Sequence, residues 1–142
     1  MKLTPTTEKF VLHWGEMGNK WGVNRTIAQI HALLYLVGKP MHAEELVDTL
    51  GVARSNVSNS IKELQSLNLV QTVHVMGDRR DYFTTGTDVW ELAKVIVEER
   101  YRRELAPTVS FLDELMKSPE FAQEHQEVRQ RIKDTHQFVD TL

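Results

Sequence analysis

Residues 50–85 read LGVARSNVSNSIKELQSLNLVQTVHVMGDRRDYFTT, and this stretch decides the fold. Val57, Ile61 and Leu64 recur at steps of four and three, which predicts a helix over about 54–67 with one apolar face. The rest of its first half is polar, and most of these side chains are short, poor helix formers that an ordinary helix surface seldom collects. They are Ser55, Asn56, Ser58, Asn59, Ser60 and Lys62.

The second half of the stretch predicts a β-hairpin. Leu69 to Val75 and Asp81 to Thr85 are rich in β-branched and aromatic residues, as strands are. Between them lies MGDRR (76–80), so the hairpin is expected to carry Arg79 and Arg80 at its tip.

Helical patterns surround this stretch. Before it, apolar spacing and stop signals predict helices over about 5–20, 24–37 and 43–50, with Phe10, Trp14, Met17 and Trp21 on one stripe of the first. After it, the pattern predicts a helix over about 88–103, an interruption or kink at Pro107, and a further helix through 111–116. Ser118-Pro119-Glu120 is expected to start one last helix.

A short helix, a glycine turn, a helix with a polar face and a basic hairpin, in that order, predict a winged helix-turn-helix. The fold class is mainly α with a small β-hairpin. Asn, Ser and Lys on such a helix suit base edges and phosphates in the major groove, whereas arginines suit the minor groove or nearby phosphates. The residues expected to contact DNA are Arg54, Ser55, Asn56, Ser58, Asn59, Lys62, Arg79 and Arg80.

Composition narrows the alternatives. The 142 residues are 41% hydrophobic and include no cysteine, which excludes a disordered chain, a disulfide scaffold and any thiolate metal site. No apolar run approaches the length of a membrane span, so we expect a cytoplasmic protein. The net charge of −3 argues mildly against nucleic acid, but residues 86–142 hold the acidic excess, with eight basic and twelve acidic side chains.

Enzymatic and metal-binding functions find little support. The six histidines form no recognised metal-ligand spacing, and the chain has no nucleophile-elbow motif or glycine-rich phosphate loop. We therefore expect neither catalysis nor a metal or other cofactor.

Three segments together resemble a known family. LGVARSNVS (50–58), the run from Leu64 to Val70, and GDRRDYF (77–83) are similar to the MarR superfamily of bacterial regulators. The resemblance covers roughly residues 8–117. It is greatest to the betaine-synthesis repressor (GbsR-type) group, which shares the pattern around 10–22 and the GDRRDYF wing.

The resemblance implies a homodimeric transcription factor whose interface uses N- and C-terminal helices. It also implies that Asp78 braces the wing by pairing with a neighbouring arginine, while Arg79 or Arg80 reaches DNA. Two positions depart from the family pattern. Ala53 replaces the usual Ser or Thr ahead of the recognition helix, which removes a helix cap unless Ser55 supplies it. His42 stands where a small hydroxyl residue is common.

Regulators of the betaine-synthesis type respond to choline-like ligands, which aromatic faces bind through cation–π attraction. By that resemblance Trp14, Trp21, Trp90 and Tyr101 are candidates for a ligand cage. Core or dimer packing is the simpler explanation for Trp14 and Trp21, because both lie on an apolar stripe.

The sequence thus predicts a homodimeric regulator that binds a pseudo-palindromic operator in double-stranded DNA and represses transcription under the control of a small molecule. Residues 1–22 form an N-terminal dimerisation helix, 23–86 the DNA-binding domain, and 87–142 a C-terminal dimerisation segment. Their apolar stripes support dimerisation, because the winged domain alone has little need of them. The alternative is a winged-helix module that binds another protein and no specific DNA.

Overall fold

The computed structural model describes residues 2–142. It has two compact units, the first ending at Leu92 and the second comprising Ala93–Leu142. In chain order the elements are α1 (Pro5–Lys20), α2 (Arg25–Val37), β1 (Met41–His42), α3 (Ala43–Leu50), α4 (Arg54–Ser66), β2 (Gln71–His74), β3 (Asp81–Thr84), α5 (Val89–Arg100), a π-helical turn (Tyr101–Leu105), α6 (Ala106–Lys117), α7 (Pro119–Gln123) and α8 (Gln126–Asp140). The predicted fold class, mainly helical with a small antiparallel sheet, is confirmed.

The helices of the first unit begin and end at residues whose chemistry favours those boundaries. Asn24 caps α2, its Oδ1 accepting a hydrogen bond from the Thr26 amide at 2.8 Å. Gly38 and Gly51 end α2 and α3 with φ values of +69° and +64°, a conformation that glycine adopts at little cost. Local signals therefore account for the close agreement between predicted and observed bounds.

The core of the first unit forms around α2. This helix contributes Ile30, Leu33 and Leu34, which are completely or almost completely buried, and α3 contributes Leu46. Burying an aliphatic side chain of this size contributes about 1.5–3 kcal/mol each. The recognition-helix candidate α4 packs against α2 and α3, so the core holds α4 on a fixed support.

The sheet has three antiparallel strands in the order β1-β3-β2. Phe83 of β3 pairs with Thr72 of β2 and with Met41 of β1. The sequence predicted only the hairpin of β2 and β3, and β1 was missed because a two-residue strand is defined by its partner. Pairing with β1 attaches the hairpin to the residues that lead directly into α3.

In the second unit, α6 packs against α8. The predicted interruption at Pro107 takes the form of the π-helical turn, which precedes α6 and leaves Pro107 in its first turn. A proline removes one backbone donor and crowds the carbonyl four residues earlier, and wider winding relieves that clash. The prediction of a single last helix was wrong, because Glu124 and His125 are extended, with ψ of 155° and 147°, and separate α7 from α8.

Candidate nucleic-acid interface

Helix α4 presents its polar side chains to solvent because its apolar side chains are committed to the core. Val57, Ile61 and Leu64 are buried. The six residues predicted on this helix to contact DNA are all exposed, namely Arg54, Ser55, Asn56, Ser58, Asn59 and Lys62. Ser60, which the sequence placed on the polar face, is instead only 4% exposed, so it belongs to the packed face.

The two ends of α4 differ in how their backbone groups are satisfied. Ala53 occupies the N-cap position and no side chain caps the helix, so Ser55 does not replace the missing hydroxyl. At the other end Asn68 adopts φ +59°, and the Leu69 amide donates to the Leu64 carbonyl at 2.9 Å. Asn68 thus closes α4 in a left-handed conformation, and the uncapped N-terminal amides remain open to an external acceptor.

Arg54, the first residue of α4, forms an ion pair with Glu44 of α3. Both side chains are substantially exposed, so the pair is screened by solvent and contributes little stability. Sequence reasoning assigned Arg54 to DNA and did not identify this acidic partner. The pairing means that Glu44 competes with any phosphate for the same guanidinium.

His42 caps α3. The Glu45 amide donates to His42 Nδ1 at 3.3 Å, and the His42 amide donates to Glu45 Oε1 at 3.3 Å, which completes a reciprocal capping box. The departure from the family pattern at this position therefore preserves the cap while replacing a small hydroxyl with a ring that extends farther.

The wing turns between β2 and β3. The Asp78 amide donates to the Val75 carbonyl at 3.0 Å, and Gly77 adopts φ +81°, which closes the turn. Met76 is completely exposed at this turn. The hydrogen-bonded turn fixes where the following residues, Arg79 and Arg80, leave the tip.

Asp78, in the turn of the wing, is the centre of a polar cluster. Its Oδ2 accepts from Arg80 Nη2 at 2.7 Å and from the Tyr82 hydroxyl at 2.7 Å, while Oδ1 accepts from Arg80 Nε at 3.0 Å and the Arg80 amide at 2.9 Å. These bonds, those from the Arg80 side chain above all, hold the pKa of Asp78 well below its usual range. The same cluster raises the pKa of Tyr82, chiefly through its hydrogen bond to Asp78.

The cluster distinguishes two adjacent arginines that the sequence could not. Arg80 contacts Asp78, lies 3.3 Å from the Tyr82 hydroxyl, and has a raised pKa, chiefly because of its hydrogen bond to Asp78. Arg79 is exposed and forms no hydrogen bond or ion pair with any residue of 2–142. The geometry thus leaves Arg79 as the unengaged cation of the wing.

Two side-chain hydrogen bonds tie the wing to the α4 side of the first unit. Gln65 Nε2 of α4 donates to Thr72 Oγ1 of β2 at 2.8 Å, and the buried Thr85 hydroxyl donates to the Leu69 carbonyl at 2.6 Å. A shallow cleft of about 250 Å³ lies where α3, the start of α4 and the wing meet. Its lining includes His42, Glu44, Arg54, Arg80 and Phe83.

The aromatic residues proposed as a ligand cage have different surroundings. Trp14 stacks on Phe10 with ring centroids 5.5 Å apart, and Trp21 is 55% exposed. The face of α1 that is buried in this chain carries Val11 and Gly15 instead. Trp90 is 81% exposed and Tyr101 is partly exposed, so packing within the chain leaves the rings accessible.

Two further features bear on function. Across residues 2–142, no group of three or more His, Asp or Glu side chains is arranged to hold a metal ion. The same part of the chain contains no helix that is long and apolar enough to cross a membrane.

Comparison with known proteins agrees with this geometry. Residues 21–81 match the MarR family model. A putative HTH-type transcriptional regulator, YvaV of Bacillus subtilis strain 168, is 23% identical over 149 residues, covering 95% of this chain and 82% of the relative. The HTH-type transcriptional repressor OpcR of the same organism is 24% identical over 71 residues, covering 50% of this chain and 38% of the relative.

A crystal structure of a transcriptional regulator shares the fold, with a TM-score of 0.60 at 19% identity over 96% of this chain and 95% of that one. These comparisons show that residues 21–81 are similar to the MarR family and that the chain shares the fold of a solved transcriptional regulator. They agree with the prediction of a regulator rather than an enzyme.

Proposed function

We propose that this protein is a homodimeric, sequence-specific repressor of transcription whose affinity for a pseudo-palindromic operator is controlled by a small-molecule ligand. The observation that carries this function is the exposed polar face of α4 beside a wing that bears the unengaged Arg79. A surface that only binds protein has no particular use for this cation. The proposed location is the cytoplasm, where such a regulator meets DNA.

Different side chains serve affinity and specificity in this proposal. Asn56 and Asn59 read base edges in the major groove, where an amide can form two hydrogen bonds to adenine. Ser55 and Ser58 add shorter contacts, and Lys62 contacts a phosphate. The uncapped first turn of α4 supplies backbone amides that favour a phosphate oxygen.

The two arginines of the wing have unequal tasks. Arg79 enters the minor groove or contacts the adjacent phosphates, where its charge gains most. Arg80 stays hydrogen-bonded to Asp78 and holds the shape of the wing, so it supports DNA binding without contacting DNA. Arg54 contacts a phosphate once DNA displaces Glu44.

The proposed dimer uses apolar surface that the chain does not cover itself. In the first unit, Phe10 of α1 and Trp21, which follows the last residue of α1, are exposed. In the second unit, Val97, Phe111 and Phe138 are each at least 60% exposed. We assign residues 1–22 and 87–142 to dimerisation and 23–86 to DNA binding, because large apolar side chains of this kind mark protein interfaces when they lie together.

Repression and ligand control complete the proposal. The name of the repressor OpcR supports repression, as does the resemblance to the betaine-synthesis group. A choline-like cation held by Trp14, Trp21, Trp90 or Tyr101 is the proposed effector, since a quaternary ammonium is attracted to aromatic faces. Its binding changes the separation of the two recognition helices and hence the fit to the operator.

Selection of bound duplexes from a random pool, followed by sequencing, tests this function. We expect an enriched inverted repeat whose half-sites lie about one helical turn, ~10 base pairs, apart. Sedimentation of the protein with one enriched duplex is expected to give two chains per duplex. A pool that retains no sequence preference while the protein binds another protein would support the alternative module instead.

A further inference from the structure

We propose that His42 is a positioning residue that locks the wing onto the start of α3, and that protonation of its ring releases the wing and weakens DNA binding. The inference rests on the DNA-binding function proposed above and adds a residue that contacts no DNA itself.

The ring of His42 touches the wing at two places. Its Nε2 lies 3.0 Å from Arg80 Nη1, and its edge packs against the Tyr82 ring with centroids 5.3 Å apart in a T-shaped arrangement. Tyr82 is also the residue that pairs with His42 between β3 and β1. The contacts of the ring therefore reach the same cluster that Asp78 organises.

The ring also contacts the first turn of α3. His42 Nδ1 accepts the Glu45 amide, and Nε2 lies 3.3 Å from Glu45 Oε1. The ring thus joins the first turn of α3 to the wing, and only 12% of its side chain is exposed. Since α3 packs against α4, this contact relates the wing to the helix that carries the base-reading residues.

The number of lone pairs makes this junction sensitive to protons. A neutral imidazole has one bare nitrogen, whereas both the Glu45 amide and the Arg80 guanidinium approach it as donors. The neutral ring accepts from one donor at a time, by changing tautomer. A protonated ring accepts from neither, so it loses the α3 cap and faces the Arg80 guanidinium with a second positive charge.

The surrounding charges are mixed. Glu45 on α3 favours the protonated ring and Arg80 of the wing opposes it. Asp78 is engaged by Arg80 and Tyr82, and Glu44, Arg54 and Asp81 line the neighbouring cleft.

His42→Asn separates the two contacts. An asparagine Oδ1 occupies the place of Nδ1 and keeps the N-cap, but nothing replaces Nε2 opposite Arg80. His42→Ser is a second variant, in which a small hydroxyl side chain caps the helix, as the family pattern has it at this position. His74→Asn is the matched control, because His74 is a wing histidine that lies 3.8 Å from Asp81.

The experiment measures operator affinity of the full chain at pH 8 and pH 5.5 for each variant. We expect His42→Asn to bind about fivefold more weakly than the wild type at pH 8, because the variant loses one hydrogen bond between the ring and the wing. At pH 5.5 the two are expected to bind alike, because a protonated ring has no lone pair for Arg80 and holds the wing no better than asparagine does. His74→Asn is expected to follow the wild type at both values.

An affinity ratio of one at pH 8, or a ratio that stays the same at pH 5.5, would overturn the proposal. Hydrogen exchange of the β2 and β3 amides without DNA provides a second readout. At pH 8 exchange is expected to be faster in both His42 variants than in the wild type. After correction for intrinsic rates, exchange in the wild type is expected to be faster at pH 5.5 than at pH 8. If the wild type binds no duplex, the proposed function fails, while the exchange rates still decide whether His42 holds the wing.

Discussion

Nη2 of Arg80 lies 2.7 Å from Oδ2 of Asp78, and Nε of Arg80 lies 3.0 Å from Oδ1, so one edge of the guanidinium contacts both carboxylate oxygens. This two-point contact fixes the orientation of Arg80 as well as its position. Arg79, its neighbour in the chain, has no such partner within residues 2–142. Two adjacent residues of the same type therefore play different parts.

Replacing Arg79 with alanine is expected to weaken binding to operator and random DNA alike, and to reduce the slope of log affinity against log salt by about one. The reason is that a free guanidinium at a phosphate releases one counterion. Titrations at several salt concentrations measure the slope. Lys133→Ala removes the same charge from α8, which is not part of the proposed DNA-binding residues, and should leave the slope unchanged. Equal slopes for both variants would contradict the assignment.

The wing cluster is expected to persist at mildly acidic pH. Because its hydrogen bonds hold the pKa of Asp78 below the ordinary value of 3.8, the folded chain keeps this carboxylate charged where an unfolded chain takes up a proton. Its stabilising effect is complete above that value and is lost only as pH falls below it. NMR of the Asp78 side-chain carbonyl should show no titration down to pH 4. A midpoint near 4 would disprove the brace.

Asn56→Ala and Asn59→Ala are expected to reduce the preference for operator over random DNA by about tenfold each, while random-DNA affinity changes little. A side-chain amide that reads a base edge contributes only when the correct base is present. Competition of a labelled operator with random duplex measures the preference. Asn19→Ala on α1 is the control, and equal losses on both duplexes would remove the asparagines from base reading.

Glu44→Gln is expected to raise affinity for operator and random DNA by about threefold, since it removes the acidic partner that competes with phosphate for Arg54. Asp48→Asn makes the same charge change on the same helix without contact to Arg54. A gain that is equal in the two variants would trace the effect to net charge rather than to the ion pair.

The protein is expected to lose stability below neutral pH through His31. Burial lowers the pKa of His31 to about 4, because a charged ring is costly in the core that forms around α2. The unfolded chain takes up this proton from pH 6.5 downward, so unfolding is favoured as pH falls from there to about 4, by about 3 kcal/mol in all.

Urea unfolding at pH 7.5 and 4.5, at one protein concentration, measures that loss. His31→Leu should abolish most of it, whereas His125→Gln on the exposed start of α8 should leave it intact. An undiminished loss in His31→Leu would place the acid sensitivity at another group.

The parts of the fold that depend on local chemistry could be predicted from the sequence. The left-handed turns at Gly38, Gly51 and Asn68 end helices where those residues tolerate positive φ. The break at Glu124 and His125 could not, because neither a glycine nor a proline marks it. Strand β1 also escaped prediction, since its two residues become a strand only by pairing with β3.

The candidate site shows the same limit. Spacing alone placed Asn56 and Asn59 on the exposed side of α4, where the structure has them. Spacing could not separate Arg79 from Arg80, because their difference arises from the Asp78 carboxylate and the Tyr82 hydroxyl across the turn. Nor could it reveal that His42 reaches Arg80, 38 residues away in sequence.

The most direct test of the central claim is fluorescence anisotropy of a labelled duplex from upstream of the protein's own gene, titrated at two salt concentrations with excess random DNA. A regulator of the proposed kind binds tightly, weakens steeply as salt rises, and retains the labelled duplex against the competitor. Sequence-specific recognition by α4 and the wing would be contradicted if random DNA displaced the labelled duplex completely. It would also be contradicted if the protein bound neither this duplex nor a pool of random sequences at low salt.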